Sequence, residues 1–233
     1  LGPYRDHMAR LADELGNALS AGNDLPKALS AVFLGTHGYH GDTLTYDDIQ
    51  NANLMRVIDR KKGLPVALGI LFIQAARANG CAAAGLNFPG HFLIRLEDGC
   101  ERIILDPFNH GIQRSAADMR ELLKAISGLE AELMPEHYEA VGNRDILIRL
   151  QNNIKARYER AGRSENVLRV IERMLLFAPH SAFLWRESGI FHVRMGSLGS
   201  AIESFEKIVS CADNDTERNE AVSTIQKLKS RLN

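Results

Sequence analysis

Apolar positions recur with a helical period at both ends of this chain and with a strand-like period in the middle. Tyr4, Met8, Leu11 and Leu15 share one helical face, and a second helix follows Pro26 with Leu29, Val32 and Phe33. A Gly- and His-rich loop over 35–42 comes next, then a helix led by Asp47 or Asp48 that carries Leu54, Val57 and Ile58. The strongest local signal is the stretch 63–80, with Pro65 at the first helical position and Gly80 past the last. Its centre is apolar nearly all the way round, which predicts burial. Ala82 to Phe88 then reads as a strand, and Pro89-Gly90 as a turn.

Two runs of strand-like composition, 91–97 and 100–106, flank Asp98-Gly99, a dipeptide suited to a two-residue hairpin turn. With those two residues as the loop, Glu97 pairs with Cys100, Ile94 with Ile103, and His91 with Asp106. Opposed β-carbons lie about 5 Å apart, close enough for the carboxylate to orient the imidazole. Alternation puts Arg95 and Arg102 on the face of His91, and Phe92, Ile94 and Leu96 on the other. Ser115 caps a further helix through Met119, Leu122, Leu123 and Ile126. Helices, then an antiparallel meander, then helices predict an α+β fold over residues 1–143.

From Arg144 onward the pattern is helical only. A 34-residue frame anchored on Pro179 places Ile154, Tyr158, Val167, Ile171 and Met174 on apolar positions. Its next copy places Trp185, Gly189, Ala201 and Phe205 on the aromatic and small positions of a tetratricopeptide-like repeat. The stretch from Thr216 to Leu232 reads as a capping helix with Val222, Ile225, Leu228 and Leu232 inward, which makes 144–233 an all-helical repeat domain.

Composition narrows the function classes. Lys and Arg total 28 against 29 Asp and Glu, a net charge of −1, so no global field draws the chain to nucleic acid or anionic lipid. The longest apolar stretch, Leu64 to Ala76, is too short to span a bilayer, and no early segment resembles a secretory signal. Three scattered cysteines form no metal or disulfide pattern, which points to a reducing cytoplasm. His37 and His40 have no third ligand at metal spacing, so neither metal nor cofactor is expected. No feature sets an oligomeric state.

Three motifs in order, Gly63-Leu64-Pro65-Val66-Ala67-Leu68, Asn87-Phe88-Pro89-Gly90-His91-Phe92-Leu93-Ile94-Arg95 and Leu105-Asp106-Pro107-Phe108, resemble the SirB-type transglutaminase-like proteins. That family joins a transglutaminase-like domain to a tetratricopeptide tail. The resemblance implies a transglutaminase/papain-like core, a buried helix against an antiparallel sheet. It also implies an acyl-transfer site in which a Cys at the helix N-terminus attacks a carbonyl, a His takes the proton and an Asp orients the His. His91 and Asp106 fall on the His and the Asp, but the nucleophile position falls at Leu64, Pro65 and Val66, none of which can attack. Cys81 sits at the wrong end of the helix, Cys100 at the far end of the hairpin and Cys211 in the repeats. The expectation is therefore a non-catalytic remnant of such a site. Asn87, Arg95, Asn109 and His110 are candidate binding residues near it; Trp185 reads as repeat packing first and as a ligand contact second. A protein or peptide partner for the repeats is the expected ligand. The alternative is an acyl-transfer enzyme or an amide or peptide hydrolase of the same superfamily that uses His91 and Asp106 with water or an unrecognised nucleophile.

Overall fold

A computed structural model describes residues 1–98 and 101–232. The chain divides into two compact units, Leu1–Ile146 and Leu147–Asn233.

In the first unit, α1 (Gly2–Ser20) buries Leu11, Leu15 and His7. Helix α2 (Leu25–Ser30), capped by the Asp24 carboxylate, widens into a looser turn over Ala31–Thr36 that buries Val32 and Phe33. A two-residue strand β1 (His40–Gly41) pairs in parallel with β2 (Lys62–Gly63). Between them the expected single helix is split. Asp48 caps a tight turn at Ile49–Ala52, and Asn53, accepting from the N–H groups of Met55 and Arg56, starts α3 (Leu54–Arg60) afresh. Helix α4 (Pro65–Ala78) begins at Pro65 as its sequence predicts and is buried over nearly its whole circumference.

A five-stranded antiparallel sheet follows, built from β3 (Ala82–Leu86), β4 (Ile94–Asp98), β5 (Glu101–Asp106), β6 (Ile112–Gln113) and β7 (Ala140–Val141) in the order β6-β5-β4-β3-β7. On one face, Phe92 and Ile94 meet α4 at Gly69. On the other, Leu86 and Leu93 join Phe88, and Met119 and Leu123 of α5 (Ala116–Ser127), in a second core. Ser115 and Asp118 close a reciprocal cap at the start of α5.

The hairpin register differs from the predicted one by two residues. Ile94 faces Leu105, Leu96 faces Ile103, Glu97 faces Arg102 and Asp98 faces Glu101. Asp98 thus belongs to the strand, while Gly99 and Cys100 lie outside the described residues, so the Asp98-Gly99 turn is replaced as the point about which the strands pair. A two-residue slip preserves the side-chain alternation. Ile94 and Leu96 accordingly keep the buried face, and Arg95 and Arg102 the opposite one.

The second unit is helical. Helix α6 (Asn143–Arg160) leads into it, followed by α7 (Ser164–Phe177), α8 (Ala182–Arg194), α9 (Leu198–Cys211) and α10 (Asp215–Ser230). Val167, Ile171 and Met174 are buried, with Ile154 and Tyr158 packed on them, as the repeat frame requires. Gly189 is small for a reason: a β-carbon there would lie 2.6 Å from the Phe205 ring. The capping helix is rotated from expectation, with Ala221, Ile225 and Leu228 inward and Val222 and Leu232 exposed. Among the described residues, no helix is long and apolar enough to cross a membrane.

Candidate functional site

Asp106 ends β5 with its side chain fully buried. The chain then reverses through Pro107-Phe108-Asn109-His110-Gly111, with His110 at φ 54° and Gly111 at φ 60°. Two successive left-handed residues tighten this reversal, and β6 returns with Ile112 opposite Asp106. The reversal folds Asn109 back, so that its backbone N–H donates to Asp106 Oδ1 at 3.2 Å and its Nδ2 donates to Oδ2 at 2.8 Å. Arg114, just past β6, donates to Oδ2 through Nη2 at 2.8 Å and Nε at 3.2 Å.

His91 completes the set, with Nε2 2.9 Å from Asp106 Oδ1. It does not come from the rung opposite Asp106. In the observed register the next rung beyond Ile94–Leu105 sets Asp106 against Leu93, and His91 reaches across from the bend that follows Pro89-Gly90. Burial alone would push the Asp106 carboxyl pKa up. The bonds from His91, Asn109 and Arg114 outweigh it and hold the value at about 2, below the ordinary 3.8. An ionised carboxylate only accepts, so Nε2 of His91 carries the hydrogen of this bond.

The imidazole stands edge-on to Phe108 at 6.1 Å between centroids, and Phe108 stands edge-on to Tyr46 at 5.8 Å. Phe108 packs so tightly on Gly41 that a β-carbon there would come within 2.6 Å of the ring. Gly41 pairs with Gly63, which leads directly into α4. The loop bearing Tyr46 is held by a second buried carboxylate. Asp42 accepts from the Thr45 N–H at 2.9 Å and from Arg60 Nη2 at 3.2 Å, and pairs with Lys62 at 3.0 Å. Burial opposes ionisation of Asp42, but its bonds to Thr45 and Lys62 hold its pKa well below the usual carboxylate range.

At the start of α4 the side chains of Leu64, Pro65, Val66 and Ala67 are buried and apolar. Nothing there can act as a nucleophile. Cys81 is half-buried beyond the opposite end of α4, its Sγ 3.8 Å from the Asn79 carbonyl. Cys211 ends α9, where burial and the charges of Glu217 and Asp213 push its pKa up and keep the thiol protonated. Cys100 lies outside the described residues.

Of the sequence-derived candidates, the structure brings together His91, Asp106 and Asn109. His110 is exposed on the same reversal. Asn87 is exposed, its backbone N–H donating to the Glu139 carbonyl. Arg95 donates to the Tyr138 carbonyl at 3.2 Å and pairs with Glu97, so its guanidinium is engaged away from the carboxylate. Trp185 belongs to the second unit. Arg114 is the functional partner that sequence reasoning missed. Among the described residues no group of three or more His, Cys, Asp or Glu is arranged to hold a metal; His37 pairs with Glu14 and His40 with the Gly38 carbonyl.

Comparison with known proteins agrees with this fold. Residues 3–152 match the transglutaminase-like superfamily and residues 154–233 the tetratricopeptide repeat. A UPF0162 protein of Vibrio cholerae is 31% identical over 212 residues, covering 89% of this chain and 78% of the relative. A UPF0162 protein of Xylella fastidiosa is 30% identical over 175 residues, covering 73% of this chain. Protein SirB1 of Salmonella typhimurium is 26% identical over 196 residues, covering 82% of this chain and 72% of that protein. The chain spans about three fifths of the length of the two Xylella relatives, 62% of one and 59% of the other. With one family model covering the site-bearing unit and another the helical one, the chain belongs to the SirB-type transglutaminase-like family.

Proposed function

We propose that this protein is a non-catalytic transglutaminase-like module joined to a partner-binding helical domain, the two meeting near residues 143 and 144, and that it works in the cytoplasm as an adaptor or regulatory protein. One observation carries the reading. Where the superfamily reaction needs a thiol, at the N-terminus of α4, Leu64 is 0% and Val66 2% exposed, with Pro65 buried between them. An oriented base without a nucleophile cannot form an acyl-enzyme. The saturation of Asp106 by His91, Asn109 and Arg114 supports the same reading, because this carboxylate also pins the β5–β6 reversal to the His91 bend. Asn109 and His110 then rim a recognition surface rather than a reaction centre, and Asn87 and Arg95 lie outside it.

Helical repeats of this kind mediate protein interactions, so the second unit supplies the partner-binding surface. The test is a purified chain assayed with glutamine-containing peptides for deamidation, transamidation and peptide cleavage. The expected result is identical background rates for the wild type and His91→Ala. Turnover that His91→Ala abolishes would replace this reading with that of a hydrolase using His91 as base and water as nucleophile.

A further inference from the structure

The second unit contains a cleft of about 500 Å³, walled by α7 and α9 with α8 at its base, within the roughly 300–1,000 Å³ span typical of small-ligand sites. We infer that this cleft binds a basic side chain, an arginine presented by a partner polypeptide. The inference rests on the reading of the helical unit as partner-binding and names the chemistry it would recognise.

The serine oxygens at the base of the cleft have acceptor capacity to spare. Ser204 Oγ donates to the Ser200 carbonyl at 2.9 Å, so in the 3.1 Å contact between the two hydroxyls Ser188 is the donor. Both serines are 3% exposed, and their remaining oxygen lone pairs await donors. Nδ1 of His192, on the same lining, is buried without a hydrogen-bond partner. Buried polar atoms are seldom left so, and a bound group is one way to satisfy them.

The rim has the complementary charge. Glu172 and Glu203 are exposed and, among the described residues, form no ion pair; Lys207 is the one cation facing them. Apolar lining completes the match. Leu176 is 83% exposed at the mouth and can cover an aliphatic stem, and the half-buried Trp185 ring, oriented by its Nε1–H bond to the Pro179 carbonyl, lines the same cleft. Guanidinium suits such a site better than ammonium, because it is planar, carries five donors and stacks on indole.

Trp185 is the chain's only tryptophan, so its emission reports on this cleft alone. Titration with N-acetyl-arginine methylamide should give a saturable change in that emission, and the uncharged citrulline analogue none. Glu172→Gln with Glu203→Gln should weaken arginine binding about fivefold to tenfold, the loss expected for two exposed charge pairs, and Lys207→Gln should tighten it. All three positions are exposed, and circular dichroism will show that the variants keep their helices. No saturable change, an equal response to citrulline, or indifference to the double Gln variant would overturn the inference. His91-dependent turnover would sink the non-catalytic reading and leave this titration unaltered, so the two failures are separable.

Discussion

The ring of Phe92 is clamped between Gly69 of α4 and Gly85 of β3: a β-carbon on either glycine would lie 2.5 Å from a ring carbon. Gly69→Ala therefore sets two effects against each other. Alanine favours a helix interior by about 1 kcal/mol, whereas overpacking a full core costs about 1–3 kcal/mol. Phe92 is 1% exposed and hemmed from the Gly85 side, so it cannot swing away and the clash wins. Denaturant unfolding should show a net loss of about 1–2 kcal/mol, with much of it recovered in Gly69→Ala/Phe92→Leu. Unchanged stability in the single variant would mean that α4 and the sheet are less closely packed than this.

Asp106, together with the still more strongly held Asp42, should contribute to acid stability at the lower end of the pH range. Its folded pKa of about 2 lies below the ordinary 3.8, so its contribution is fully present above about pH 4 and disappears as pH falls through 2. A shift of that size on a buried group corresponds to about 2 kcal/mol. Asp106→Asn removes the charge at nearly constant shape and leaves Arg114 without its anion. A loss of about 2–4 kcal/mol near neutral pH is expected, together with a flatter unfolding profile between pH 4 and 2. A variant as stable as wild type at pH 7 would mean that the carboxylate does not hold the site together.

A second pH window belongs to His7. Burial lowers its pKa from 6.5 to about 4, aided by the charges of Lys61, His37 and Arg10 and opposed by Glu14. Its Nε2 is 2.8 Å from the buried Tyr39 hydroxyl and 3.1 Å from Lys61 Nζ. The unfolded chain protonates this histidine first, so stability falls as pH drops from about 6.5 to about 4 and then levels. The expected loss is about 3 kcal/mol, and His7→Gln should abolish that limb while leaving the Asp106 limb in place. A wild-type profile flat across this range would contradict the assignment.

The hairpin shows what sequence can and cannot specify. Alternation and the Asp-Gly signal found both strands and the correct faces, and predicted that His91 and Asp106 meet. A register shifted by two residues satisfies the same alternation, so sequence could not separate Ile94–Ile103 pairing from the observed Ile94–Leu105. What separates them is tertiary: the sheet's fit against α4 at Gly69 and the return of β6 beside Asp106. Arg114 escaped notice for the same reason. Its role depends on the left-handed reversal at His110 and Gly111, which brings a residue eight positions downstream back onto the carboxylate. The apolar start of α4, by contrast, was legible directly, because the side chains of Leu64-Pro65-Val66 need no geometry to be recognised as unreactive. The capping helix was placed, but its inward face was misread: Ala221 is buried where Val222 was expected, since the smaller side chain suits close packing on α9.

In the helical unit, Lys155 of α6 and Glu187 of α8 form an ion pair with Nζ within hydrogen-bonding distance of both carboxylate oxygens. Lys155 is 7% exposed, and its ammonium also lies 5.7 Å from the centre of the Phe183 ring. Desolvation makes such a pair expensive to form and more expensive to break one-sidedly. Lys155→Met should therefore destabilise the unit by about 2–4 kcal/mol, because Glu187 is left largely buried without a cation. Lys155→Met with Glu187→Leu removes both charges and puts apolar volume in their place, so most of that loss should return. A double-mutant cycle by denaturant unfolding measures the coupling directly. Additive losses from the two single variants would mean that the pair contributes through its separate side-chain packing alone, and that α6 and α8 are held by the apolar contacts of Ile154, Tyr158 and Trp185.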